Sequence, residues 1–333
     1  WIMKETKIDA IVALDDYDVE KATFLRENLR IPGMGQTTGR YFRDKLAMRM
    51  RAQDAGVLVP PFSALFHDND INHFADTVPA PWVLKPRSEA SAHGIIKVYD
   101  KDSLWQNIHD LGDNRLRYLV EQFKPGDVYH ADSLILEGKT LFCTVSKYLA
   151  TPMEISQGGG IFRSANIPYS ADDDKAMKDA NKKVMKAFGM KNGAAHTEFI
   201  KGKEDGKIYF LETSSRVGGA HLAEMVEGAT NINLWAEWAK IEDAVAKGKV
   251  YKLPKVTKGY AGIVLTLSKY QHPDLSSFDD PEVCFRVPLE YHAGLIVKSN
   301  NHEKVLALLD DYAARLSDGY STIAEQEKVK KFH

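Results

Sequence analysis

The chain has 333 residues, 44% of them hydrophobic and 27% charged, with a formal net charge of -2 at pH 7. That length supports two or three compact units, each able to bury its own core. The balanced charge leaves no basic footprint for nucleic acid, and no apolar run reaches the roughly 20 residues of a membrane-spanning helix, so neither is an expected partner. The two cysteines, Cys143 and Cys284, make no disulfide framework, and a reducing, cytoplasmic setting is the default expectation.

In chain order, IDAIVAL (8–14) reads as a buried strand, and Asp18 is placed to cap a helix over 19–29. One strand and one helix make no sheet, so residues 1–42 are expected to be the remnant of an open α/β domain. PGMGQTTGR (32–40) misses the G-x-G-x-x-G pattern because position 38 is Thr, and it reads as a plain loop. Asp44 caps a helix through about residue 53. Strands are expected at 82–86, 94–100 and 117–123, with a helix over 101–111. Residues 131–148 read as a hairpin turning at Glu137-Gly138, and 150–164 as a long irregular loop. A helix spans 172–188, with Met177, Ala180, Val184 and Phe188 on one face and Gly189 as its stop. Residues 193–200 and 207–213 read as a hairpin around the polar turn KGKEDG. The segment 220–247 is mostly helical, three strands follow at 259–267, 284–288 and 292–298, and an amphipathic helix closes the pattern at 302–316.

Chemistry concentrates in four places. Lys45 stands at a helix start and Lys85 at a strand end, where each could equally be a solvated surface charge. A small-residue loop, RSEASAHG (87–94), follows Lys85 and contains Ser88, Ser91, His93 and Gly94. Such a loop lets backbone N–H groups approach phosphate oxygens. The strand ending in Glu121, Phe123 and Lys124 has an edge that can pair with an adenine, or is an ordinary strand exit. Finally, the hairpin brings Glu198 and Glu212 to one face, with Arg216 one turn beyond and Gly218-Gly219 after it. Two facing carboxylates repel unless a cation separates them, and Mg²⁺ favours such a set completed by phosphate and water. The alternative is a surface hairpin with solvated acids. Lys147 and Arg163 could meet a substrate carboxylate, and His196 shares the face of Glu198; each could equally be structural.

In order and residue type these features resemble the ATP-grasp superfamily over about residues 40–300. Within it, LDDYDVEKATFLRE leading to RDKLAMR, HTEF and ETSSRVGGAH are similar to bacterial L-amino acid ligases and carnosine-synthase-like carboxylate–amine ligases. The resemblance implies an α+β fold in which two subdomains, 43–118 and 119–254, clasp ATP, with 255–333 as a C-terminal lid. It implies ATP contacts from Lys45, Lys85, Ser88, Ser91, Gly94, Glu121, Phe123, Lys124 and Asp127. Mg²⁺, or Mn²⁺ in its place, would be held by Glu198, Glu212 and Ser214, with Arg216 catalytic and Lys147, Arg163 and His196 near substrate. Two departures stand out. Ser214 replaces the usual asparagine, and Asp127 sits one place before the position of the ribose-binding acid, which is Val128.

The implied reaction joins a small-molecule carboxylate to an amine through an acyl phosphate, releasing ADP and phosphate. Arg216 would stabilise the oxyanion of the tetrahedral intermediate, and loop 154–163 with the C-terminal segment would exclude water. A homo-oligomer is compatible with this reading. Two alternatives share the fold: a carboxylase or purine-synthesis ligase, and a non-catalytic nucleotide-binding regulatory protein.

Overall fold

Two antiparallel sheets face each other across a cleft in the computed structural model, which describes residues 2–89, 94–151, 153, 155 and 160–322. The smaller sheet has the order β1-β4-β2-β3, formed by β1 (Phe62–Ala64), β2 (Trp82–Pro86), β3 (Ile96–Val98) and β4 (Tyr118–Gln122). Its alternation is plain in β2, where Trp82 and Leu84 enter a core with Ile71, Leu104 and Ile108 while Val83 and Lys85 face the cleft. Two helices, Asp68–Thr77 and Lys101–Leu111, cover that core.

The larger sheet has eight strands: β5 (Gly126–Leu136), β6 (Lys139–Tyr148), β7 (Phe162–Asn166), β8 (Gly193–Gly202), β9 (Ile208–Ser214), β10 (Tyr260–Leu267), β11 (Val283–Arg286) and β12 (His292–Ser299). Their order is β11-β12-β10-β7-β6-β5-β8-β9. One face carries Tyr129, Ala131, Val145, Phe199 and Phe210 and packs against Met177, Val184, Met185 and Phe188 of the Asp172–Phe188 helix. Phe188 meets Phe42 and Phe210 edge-on at 5.7 and 5.5 Å between centroids. Burying each such ring contributes about 1.5–3 kcal/mol. Packing this face leaves the alternate residues of the same strands to form the cleft wall.

Several expected elements differ. Residues 8–14 form no strand, because no partner strand among the described residues receives their backbone; Ile11 instead gives its carbonyl to Arg26 Nε at 2.8 Å. Asp18 occupies the N-cap position of the Val19–Leu29 helix without a side-chain cap bond, while Asp15 accepts from Tyr17 N at 2.9 Å to shape a 3-10 turn, Asp16–Asp18. The loop expected over 150–164 contains the start of β7, which is stabilised by pairing with β6 and β10 rather than by its own sequence. β1 and the Asp68–Thr77 helix escaped the periodicity reading. The strands after residue 254 do not stand apart: β10 pairs with β7 on one side and β12 on the other, so the large sheet runs unbroken into this segment. Its helix, His302–Gly319, buries Val305, Leu309, Tyr312 and Leu316 against it.

Candidate active site

The cleft encloses about 680 Å³, within the range of small-molecule sites. Its floor is set by strand register. Glu198 on β8 pairs directly with Glu212 on β9, and on its other side with His130 on β5. The next row brings Asp132, His196 and Ser214 into line. Alternation then puts Glu212 and Ser214 on one face, as it does His196 and Glu198.

Each acid is held by a neighbour. Lys45 Nζ lies 2.8 Å from Glu212 Oε2 and donates to the Glu89 carbonyl at 2.6 Å. Tyr148 donates its hydroxyl to Glu198 Oε1 at 2.9 Å. Burial by itself would raise the Glu212 pKa, but Lys45 first, then Lys85 and Arg49, bring it below the usual carboxylate range. Each contact engages one oxygen of its carboxylate, so each acid has a second oxygen to offer a cation. The pair therefore fits a divalent hard cation by ligand type and placement.

Lys45 is positioned by its helix start. Asp44 caps the Lys45–Asp54 helix through Leu46 N and Ala47 N, and the same carboxylate takes Arg87 Nε at 3.0 Å. Lys45 N donates to the Arg87 carbonyl at 2.8 Å, tying the helix to the exit of β2. One turn on, Arg49 is fully buried and donates Nε to Glu121 Oε2 at 2.8 Å; its guanidinium also reaches the Leu211 carbonyl on β9. Lys85 pairs with the other oxygen of Glu121. Burial alone would raise the Glu121 pKa, yet Arg49 and Lys85 outweigh it and lower the value to about 2. The folded value lies below the ordinary 4.5, so ionised Glu121 adds stability above the unfolded carboxyl range and loses it as the pH falls toward about 2. Between those limits, stability measured by urea unfolding should fall more steeply in the wild type than in Glu121→Gln.

Behind Glu198 lies a buried polar cluster. Asp132 is 0% exposed, and its two oxygens lie 2.7 Å from His130 Nδ1 and 2.8 Å from His196 Nδ1. His130 Nε2 is 2.7 Å from Ser164 Oγ. Burial would lower the His196 pKa, but Asp132 and then Glu198 raise it to about 10, so the ring is held as an imidazolium between two carboxylates. Asp132 is held below the usual range by both rings against the opposing effect of burial. A Cβ on Gly218 would come 2.8 Å from His196 Nδ1 and 3.1 Å from Asp132 Oδ1, so only glycine lets this backbone approach the pair.

The structure brings Lys45, Lys85, Glu121, Phe123, Lys124, His196, Glu198, Glu212, Ser214 and Arg216 to one cleft. Arg216 binds Asp16 through Nε at 2.9 Å and donates Nη1 to the Val217 carbonyl at 2.7 Å. Phe123 packs under Lys97 Nζ, 3.7 Å from its ring centroid. Ser88, Gly94, Asp127, Lys147 and Arg163 do not line the cleft. Asp127 is exposed and pairs with Lys147 at 2.7 Å across β5 and β6, while Arg163 pairs with Asp310 of the last helix. Those alternative partners, supplied by the sheet and by the C-terminal helix, account for the displacement of Lys147 and Arg163 from the expected substrate position. Ser91, His93 and most of 154–159 lie outside the described residues. Sequence reasoning missed Asp16, Arg43, Arg49, His130, Asp132 and Tyr148. Only Arg49 left a local signal, by falling one helical turn after Lys45.

Two facing antiparallel sheets, with paired acids on one and a lysine-bearing strand on the other, define an ATP-grasp fold. Residues 78–224 match the family profile described as "ATP-grasp domain". The chain is 28% identical over 265 residues to the L-arginine-specific L-amino acid ligase of Bacillus subtilis, covering 77% of this chain and 61% of that one. It is 25% identical over 198 residues to D-alanine--D-alanine ligase of Neisseria gonorrhoeae, covering 58% of this chain and 64% of that one. The chain thus spans less than two thirds of either relative. The crystal structure of an L-amino acid ligase from Bacillus licheniformis superposes with a TM-score of 0.71 at 18% identity, covering 98% of this chain and 82% of that chain. No helix among the described residues is long and apolar enough to cross a membrane.

Proposed function

We propose that the protein is an ATP-dependent carboxylate–amine ligase, forming an amide or peptide bond with release of ADP and phosphate. The observation that carries this reading is the direct cross-strand pair Glu198–Glu212, faced by Lys45 and closed at one end by Arg216. Its similarity to two ligases named for amino acids favours this reading over a carboxylase or a regulatory nucleotide binder.

In this reading the adenine enters at the Glu121–Lys124 end, between Val83 and the apolar Val128, Ile200 and Leu211. Lys85 and Lys45 meet the phosphates, their charge already oriented by Glu121 and Glu212. Glu198, Glu212 and Ser214 would hold Mg²⁺, which supplies charge neutralisation on the transferring phosphoryl group. A substrate carboxylate oxygen attacks the γ-phosphorus as ADP leaves, and the amine then attacks the acyl carbon as phosphate leaves. Arg216 donates toward the oxygen on which negative charge develops. The two substrates are small molecules, and the relatives direct the first trials toward amino acids.

The test is a screen of amino-acid pairs reading amine-dependent phosphate release from ATP, with mass detection of the joined product. Product carrying the mass of two acids less water supports the ligase; bicarbonate-dependent release, or nucleotide binding with no turnover by any pair, overturns it. Arg216→Ala should spare ATP affinity while reducing kcat roughly a hundredfold or more, the scale of losing one oxyanion donor.

A further inference from the structure

Most cations in the cleft wall have a partner. Lys45 is matched by Glu212, Lys85 by Glu121 and Arg216 by Asp16, while Lys124 stands over the Tyr209 ring. Arg43 differs. It lines the cleft and is only 8% exposed, yet among the described residues no carboxylate comes within ion-pair distance of it and no acceptor takes its guanidinium N–H groups. Its guanidinium carbon sits 4.6 Å from the centroid of the Tyr17 ring. Stacking of that kind uses the face of the guanidinium and leaves its in-plane N–H donors unspent. A charge so enclosed is costly to keep without an anion.

Placement says which end of the cleft the charge serves. Tyr17 follows Asp16 in the Asp16–Asp18 turn, so consecutive residues anchor Arg43 and Arg216. Lys45, two residues beyond Arg43, reaches Glu212. Arg43 therefore belongs to the reacting end of the cleft and not to the adenine end.

We propose that Arg43 is an oxyanion-binding residue, whose planar donor fork receives a carboxylate or a terminal phosphoryl group beside Arg216. The identity of the arriving oxyanion rests on the ligase reading. A fork of parallel N–H groups suits either anion, and the charge on Lys45 and Lys85 is already committed to acids that Arg43 does not touch.

The test compares wild type, R43A and R43K by calorimetry with ATP and with ADP, each with Mg²⁺, and by KM for the acid of a pair that the wild type accepts. Loss of a charge-assisted hydrogen bond should weaken the affected step roughly tenfold to a hundredfold. If ATP affinity falls by that factor in R43A while ADP affinity holds, the anion is the terminal phosphoryl group. If both nucleotides bind as before but KM for the acid rises by that factor, it is the substrate carboxylate. In either case R43K, which keeps charge and bulk but not the fork, should recover only part of the loss; it also serves if R43A does not fold. Variants with unchanged nucleotide affinities and unchanged KM, or with equal losses for ATP and ADP, overturn the proposal and leave the ligase reading standing. A wild-type protein that binds neither nucleotide overturns both.

Discussion

Replacing Asp132 with alanine is expected to lower folding stability by about 3–5 kcal/mol, the scale set by breaking a buried charged pair. Asp132 accepts from two rings at once, and His130 is fully buried, so that ring cannot turn to water for a substitute. Gly218 packs against the same contact, so the backbone after Arg216 shares the disturbance. Asp132→Asn should cost less, because an amide keeps the shape and can still accept one ring N–H. Urea unfolding followed by circular dichroism gives the comparison: Asp132→Ala and Asp132→Asn with midpoints like the wild type would show that the cluster contributes nothing to the fold.

Glu212→Gln is expected to reduce turnover by more than about 100-fold at fixed Mg²⁺, beyond the 10–100-fold typical of residues that only support a metal ligand. The substitution preserves volume and removes a charge that serves two groups. It deprives Lys45 of its acid at 2.8 Å, and it takes one carboxylate from the cross-strand pair with Glu198. A purely structural role would lower stability without moving metal affinity. The check is therefore twofold: ADP formation against Mg²⁺ concentration, and Mn²⁺ binding by electron paramagnetic resonance in the presence of ADP. A variant with wild-type rate and wild-type metal affinity would take Glu212 out of the proposed metal site.

The two acids and Arg216 were legible because they are bound to local structure. HTEF and FLET lie on strands joined by one tight turn, so sequence separation alone nearly sets their register. The helix caps at Asp44 and the periodicity of 172–188 were legible for the same reason: the interactions that form them span a few residues. β2, β4 and the 131–148 hairpin followed from alternation and turn residues.

What the sequence by itself determined was therefore the set of local elements and the chemistry each could carry: acids on a hairpin, lysines at a helix start and a strand end, glycines where the backbone must come close. Tertiary structure decided which of those groups meet. Asp16 reaches Arg216 across 200 residues of chain, and Arg49 joins Glu121 to Leu211 through a helix packed between sheets. Lys147 and Arg163 have suitable chemistry, but β-sheet pairing and the C-terminal helix give them acids elsewhere. Residues 8–14 have the composition of a strand and form none, because a β-strand is stabilised by a partner's backbone, which no local pattern supplies. The buried His130–Asp132–His196 cluster shows the same dependence: His130 and Asp132 are two residues apart on β5, but only the register of β5 with β8 brings His196 to the same carboxylate.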